Sequence, residues 1–83
     1  MNTLQSVITT GMKTREIVAR NLRKARNSRK LSQEQLGFLA DVHRTYVGMI
    51  EREKYNPTVE MLEKLATALE LEVTDFFKID GDK

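Results

Sequence analysis

Arg44 and Thr45 stand side by side in the segment RTYVGMIE, with Met49 one helical turn further along the same side. A guanidinium can donate two parallel hydrogen bonds to O6 and N7 of guanine. Thr45 can offer its methyl to a thymine or its hydroxyl to a base or phosphate. The chemistry open to this cluster is therefore reading of a base edge, set against a phosphate contact or plain solvation. Gly48 would permit close approach and Met49 could touch a base methyl, or both are passive surface. Tyr46 can pack its ring beside the preceding helix or give its hydroxyl to a phosphate. His43 precedes the cluster at an N-cap position, where it either contacts DNA or is simply a tolerated cap.

These side chains need two short helices to aim them. Ser32 is the N-cap of the first, Gln35 three residues on closes a capping box, and Leu31 and Leu36 form a hydrophobic staple. Leu36 and Ala40 share a face, and Gly37 on that side lets another backbone approach. Asp41 ends the helix in a left-handed conformation, which aspartate tolerates better than most residues. The second helix runs from about Arg44 to Glu51, with Val42 and Val47 as its staple and Val47 and Ile50 inward. Two helices joined by three or four residues, the second with an outward polar start, match a helix-turn-helix.

An 83-residue chain makes one small domain with a modest stability reserve. It has no cysteine, which removes disulfides, thiolate metal sites and a thiol nucleophile together, and fits a reducing cytoplasm. One histidine cannot build a zinc site, and no cofactor or metal is expected. An enzyme is disfavoured because no carboxylate and nucleophile accompany that histidine, nor is there a phosphate-binding glycine loop. No apolar run approaches the roughly 18 residues needed to span a bilayer, so no membrane role is expected.

The net charge of +2 hides an asymmetry. Residues 13–30 hold eight Lys or Arg against one Glu, residues 31–50 carry −1, and residues 51–83 carry −4. A cationic helix beside a reading helix suits double-stranded DNA, because neutralising phosphates releases counterions.

Residues 1–12 read as an N-terminal arm or short extra helix, residues 13–79 as the helix-turn-helix domain, and residues 80–83 as a polar tail. Helix one, from Thr14 to about Ser28, places Val18, Leu22 and Ala25 on one face. Arg52–Pro57 is a polar loop whose Asn-Pro step stops helix continuation. Thr58 caps helix four, with an apolar stripe of Val59, Leu62, Leu65, Ala66 and Leu69. Thr74 caps a last short turn through Asp75, Phe76 and Phe77. The expectation is an all-α, compact five-helix domain.

LSQEQL, the pair Leu39–Ala40 and RTYVGMIER from Arg44 to Arg52 resemble the lambda-repressor-like (XRE/Cro-type) helix-turn-helix family, with RTY and IER closest to restriction-modification controller proteins. The likeness spans residues 18 to about 77. It implies a sequence-specific transcriptional regulator that binds a pseudo-palindromic operator as a homodimer, with Arg44–Glu51 in the major groove. It brings Gln33 near a phosphate and tips Tyr46 toward one. Arg23, Arg29, Lys30, Arg52, Lys54 and Asn56 are further candidates for phosphate contact, with plain solvation the alternative for several of them. It also implies an ion pair between Arg26 and Glu51, with Arg26 still able to reach a phosphate. Dimerisation would use the region of Leu69, Leu71, Val73, Phe76 and Phe77, although periodicity gives most of these a core role equally well. The chain departs from the family at His43, where Ser or Thr is usual, and at Glu53, where Gly usually ends the helix. Phe38 and Leu39 replace commonly polar residues and cannot both point inward, so one of them would meet the N-terminal arm or another subunit. A competing reading is an antitoxin-like interaction module that binds DNA secondarily.

Overall fold

The computed structural model describes residues 13–79, and the expected arm at 1–12 and tail at 80–83 lie outside the described residues. The order is α1 (Thr14–Ser28), α2 (Gln33–Ala40), α3 (Arg44–Glu51), α4 (Val59–Ala68) and a 3-10 turn (Val73–Phe77). The architecture is all-helical among the described residues, with the expected fifth helix reduced to that turn. α2 packs on α3 and α4, while α1 packs on α3 and the turn.

Local chemistry sets most boundaries. Ser32 Oγ accepts from the Gln35 amide at 3.0 Å and Gln35 Oε1 accepts from the Ser32 amide at 2.8 Å, closing the capping box. Thr58 Oγ1 accepts from the Met61 amide at 3.0 Å. The last turn is capped differently from expectation. Asp75 accepts from the Glu72 amide at 2.9 Å, so the turn starts from Glu72 and Thr74 lies inside it. The Lys78 ammonium, 2.8 Å from Asp75, and that backbone hydrogen bond hold the Asp75 carboxyl below the usual carboxylate range. Asn21 anchors the turn to α1 by donating to the carbonyls of Phe76 (2.8 Å) and Lys78 (2.7 Å).

The core joins Val18 and Leu22 of α1, Leu36 and Ala40 of α2, Val47 and Ile50 of α3, and Leu62, Leu65 and Ala66 of α4. Leu69 and Phe76 are fully buried within it. Neither has surface to give to a second subunit, which corrects their place in the expected dimer patch; Leu71 and Val73 are half-buried and Phe77 is exposed. Val59 is 69% exposed and leaves the expected stripe. At 100° per residue it sits about 70° from the centre of the arc formed by Leu62, Leu65, Ala66 and Leu69, in the first turn of the helix. Phe38 and Leu39 are 86% and 56% exposed, so neither points inward. α2 spends its inward arc on Leu36, Gly37 and Ala40, which leaves both apolar neighbours outside.

The helices share a manner of ending. Lys30, Asp41, Glu53 and Glu70 have φ of 59°, 58°, 61° and 59°. Each is followed by an amide that reaches back to the last turn: Leu31 to the Arg26 carbonyl, Val42 to Gly37, Lys54 to Met49 and Leu71 to Ala66. This is the closure usually built with glycine, made here with side chains that find the left-handed region strained by about 1 kcal/mol.

Candidate nucleic-acid interface

α3 is held from behind. Val47 and Ile50 are buried, and Gly37 brings α2 so near that a Cβ there would meet the Val42 carbonyl and lie 3.2 Å from the Arg44 nitrogen. The outward start of α3 carries His43, Arg44 and Thr45, all exposed, with Met49 half-buried one turn on. His43 is a working cap: its Nδ1 accepts from the Thr45 amide at 3.0 Å. An accepting Nδ1 carries no proton, so in this geometry the ring presents its N–H at Nε2. Arg44 Nη1 lies 3.4 Å from Glu34 Oε1 on α2.

The far end of α3 is enclosed. Glu51 is buried, and its carboxylate accepts from Arg26 Nε (2.7 Å), Arg26 Nη2 (3.0 Å) and Gln33 Nε2 (3.0 Å). Its carbonyl accepts from Arg23 Nη1 at 3.1 Å, and Arg26 Nη1 donates to the Leu31 carbonyl at 2.7 Å. The Arg26–Glu51 pair is thus present. Hydrogen bonding to Glu51 raises the pKa of Arg26 against the opposing effect of burial. The Arg26 side chain is only 13% exposed and each of its nitrogens donates internally, so its expected phosphate contact is not supported.

Gln33 is likewise turned toward Glu51 instead of standing free for a phosphate. Gly48 is covered too: a Cβ there would lie 3.1 Å from Arg52 Nη1 and 3.2 Å from Gln33 Oε1, so those two side chains fill the space that sequence reasoning left open for close approach. Tyr46 packs on Tyr55, ring centroids 5.0 Å apart. Arg23, Arg52, Lys54 and Asn56 are exposed along the side where α1 meets the end of α3 and the following loop. Arg29 pairs with Glu70 at 3.1 Å.

Sequence reasoning missed Glu34. A lone carboxylate in the first turn of α2 is explained by the helix dipole, and its meeting with Arg44 depends on the corner angle. Among the described residues no group of three or more His, Asp or Glu is placed to hold a metal, and no helix is long and apolar enough to cross a membrane.

A family model described as helix-turn-helix, HTH_3, matches residues 22–76. The control protein C.SmaI of Serratia marcescens is 43% identical over 72 residues, which cover 87% of this chain and 86% of that protein. Among solved structures, the restriction-modification controller protein C.AhdI from Aeromonas hydrophila aligns with a TM-score of 0.74 at 40% identity, covering 76% of this chain and 96% of that one. The hypothetical transcription factor NHTF from Neisseria aligns at 0.79 with 31% identity, over 82% of this chain and 78% of its own. Matched over most of its length to a family model and to relatives of similar size, the chain belongs to the HTH_3 (XRE-type) helix-turn-helix family and is a DNA-binding transcriptional regulator, not an enzyme.

Proposed function

We propose that the protein binds a pseudo-palindromic operator in the cytoplasm as a homodimer, each subunit laying α3 in the major groove of double-stranded DNA. The observation that carries this reading is the contrast across α3: Val47 and Ile50 are locked in the core while Arg44 and Thr45 project outward from its first turn. Arg44 and Thr45 read base edges, with His43 and Met49 beside them. Arg23, Arg52, Lys54 and Asn56 follow the phosphates, and Tyr46 contributes its hydroxyl there. The dimer patch is reduced to Leu71, Val73 and Phe77. Two-fold symmetry then sets half-sites about 34 Å apart, one helical turn. Similarity to restriction-modification control proteins supports a controller role in such a system.

Selection from random duplexes at two salt concentrations, with Arg44→Ala beside wild type, tests the reading. A symmetric motif and a loss of about 1–3 kcal/mol confined to one base position for the variant are expected. A uniform loss with a shallower salt slope would reassign Arg44 to a phosphate. The antitoxin-like alternative draws on the exposed Phe38 and Leu39, which offer an apolar surface to a protein partner. A complex with a second protein that displaces DNA, seen by size-exclusion mass, would favour it.

A further inference from the structure

Glu34 is the second residue of α2 and Arg44 the first of α3, and their side chains meet at 3.4 Å while 74% and 64% exposed. In water such a pair contributes little to stability. Its placement matters more than its strength. Gly37, one turn after Glu34, holds the Arg44 backbone against α2, so the base of the arginine is fixed and only its side chain can swing. Glu34, Gly37, Phe38 and His43 line one open cleft with Arg44. Neighbouring Gln33 is occupied by Glu51, which leaves Glu34 as the first-turn side chain of α2 that meets the arginine.

Building on the assignment of Arg44 as a base reader, we propose that Glu34 is a positioning residue for sequence specificity. A guanidinium has five N–H groups and guanine takes two, so the carboxylate can hold one edge while the other faces the base. In a groove from which water has been displaced the same pair strengthens. On a duplex without that guanine the arginine loses its base partner, while Glu34 still offsets the Arg44 charge and sets a carboxylate near the phosphates. Glu34 therefore sharpens discrimination and weakens non-specific binding together, through alignment in one case and repulsion in the other.

The test uses the symmetric motif enriched from random duplexes, the same motif with the Arg44-read pair replaced, and an unrelated duplex. Binding of wild type, Glu34→Gln, Arg44→Ala and the double variant is measured at two salt concentrations. Glu34→Gln is expected to bind the unrelated duplex several-fold more tightly and to lose about fivefold or more of its discrimination at the Arg44-read pair. In the Arg44→Ala background the same change should leave discrimination at that pair untouched. Glu34→Asp, which keeps the charge and shortens the reach, should retain weak non-specific binding while losing part of the discrimination. Equal tightening on every duplex with discrimination intact overturns the role of Glu34 and leaves Arg44 standing as a reader. A uniform loss for Arg44→Ala, or no enriched motif, overturns both.

Discussion

The two ends of α3 are built to opposite specifications. At Glu51 a buried carboxylate takes three hydrogen bonds from two side chains, its carbonyl takes a fourth from Arg23, and the polar atoms there are engaged inside the subunit. At Arg44, the other end of this eight-residue helix, the side chains are exposed and held by one solvated ion pair and a histidine cap. One end is over-determined and the other adjustable. A helix anchored at its far end can be presented to DNA at a set angle, while the side chains at its start remain free to exchange water for bases.

The contrast is most directly broken at the enclosed end. Glu51→Leu should lower stability by about 3–5 kcal/mol, because it strands the largely buried Arg26 charge. Adding Arg26→Met should restore much of that loss, measured as the coupling term of a double-mutant cycle in urea unfolding. Additive effects below about 0.5 kcal/mol would mean that the far end is no anchor at all. At the corner, Gly37→Ala should cost about 1–3 kcal/mol despite alanine's better helix propensity, since the added carbon meets the Val42 carbonyl. A rise in melting midpoint for that variant would show that α2 and α3 can part without harm.

Glu53→Gly should stabilise by about 1 kcal/mol by relieving the left-handed strain just past the enclosed end. Arg44→Ala should leave thermal stability within about 0.5 kcal/mol of wild type, in keeping with an exposed side chain outside the core. The smallest effect lies far from both ends. The Lys78 ammonium and the Glu72 amide hold the Asp75 carboxyl below the usual carboxylate range, so its contribution is present above that range and is lost as pH falls through the lower folded value. Asp75→Asn should flatten the stability profile in that acidic window and remove, near neutrality, the small contribution that the carboxylate makes there.

What could be read from the sequence follows the range of the interactions. The Ser32 capping box and the left-handed Asp41 are local, and their signals sit within a few residues of the event they cause. The Arg26–Glu51 pair spans 25 residues and came only from family likeness. Lys30 and Glu70 gave no sign of their left-handed backbone because the usual marker, glycine, is missing from both sites. The pairings of Gln33 with Glu51 and of Glu34 with Arg44 depend on how helices cross, and that of Tyr46 with Tyr55 on the path of the loop after α3; hydrophobic period encodes neither. Periodicity also ranked Val59 with the core stripe, although it falls outside the arc of Leu62, Leu65, Ala66 and Leu69 and is the first residue of α4.

The left-handed ends at Lys30 and Glu70 carry a consequence for dosage. A regulator acts through operator occupancy, and occupancy follows the concentration of intact protein. Each kcal/mol of strain raises the unfolded fraction roughly fivefold, and that fraction is what proteases find. Both residues close helices other than α3. Glu70→Gly would lengthen the protein's lifetime and leave its choice of sequence alone.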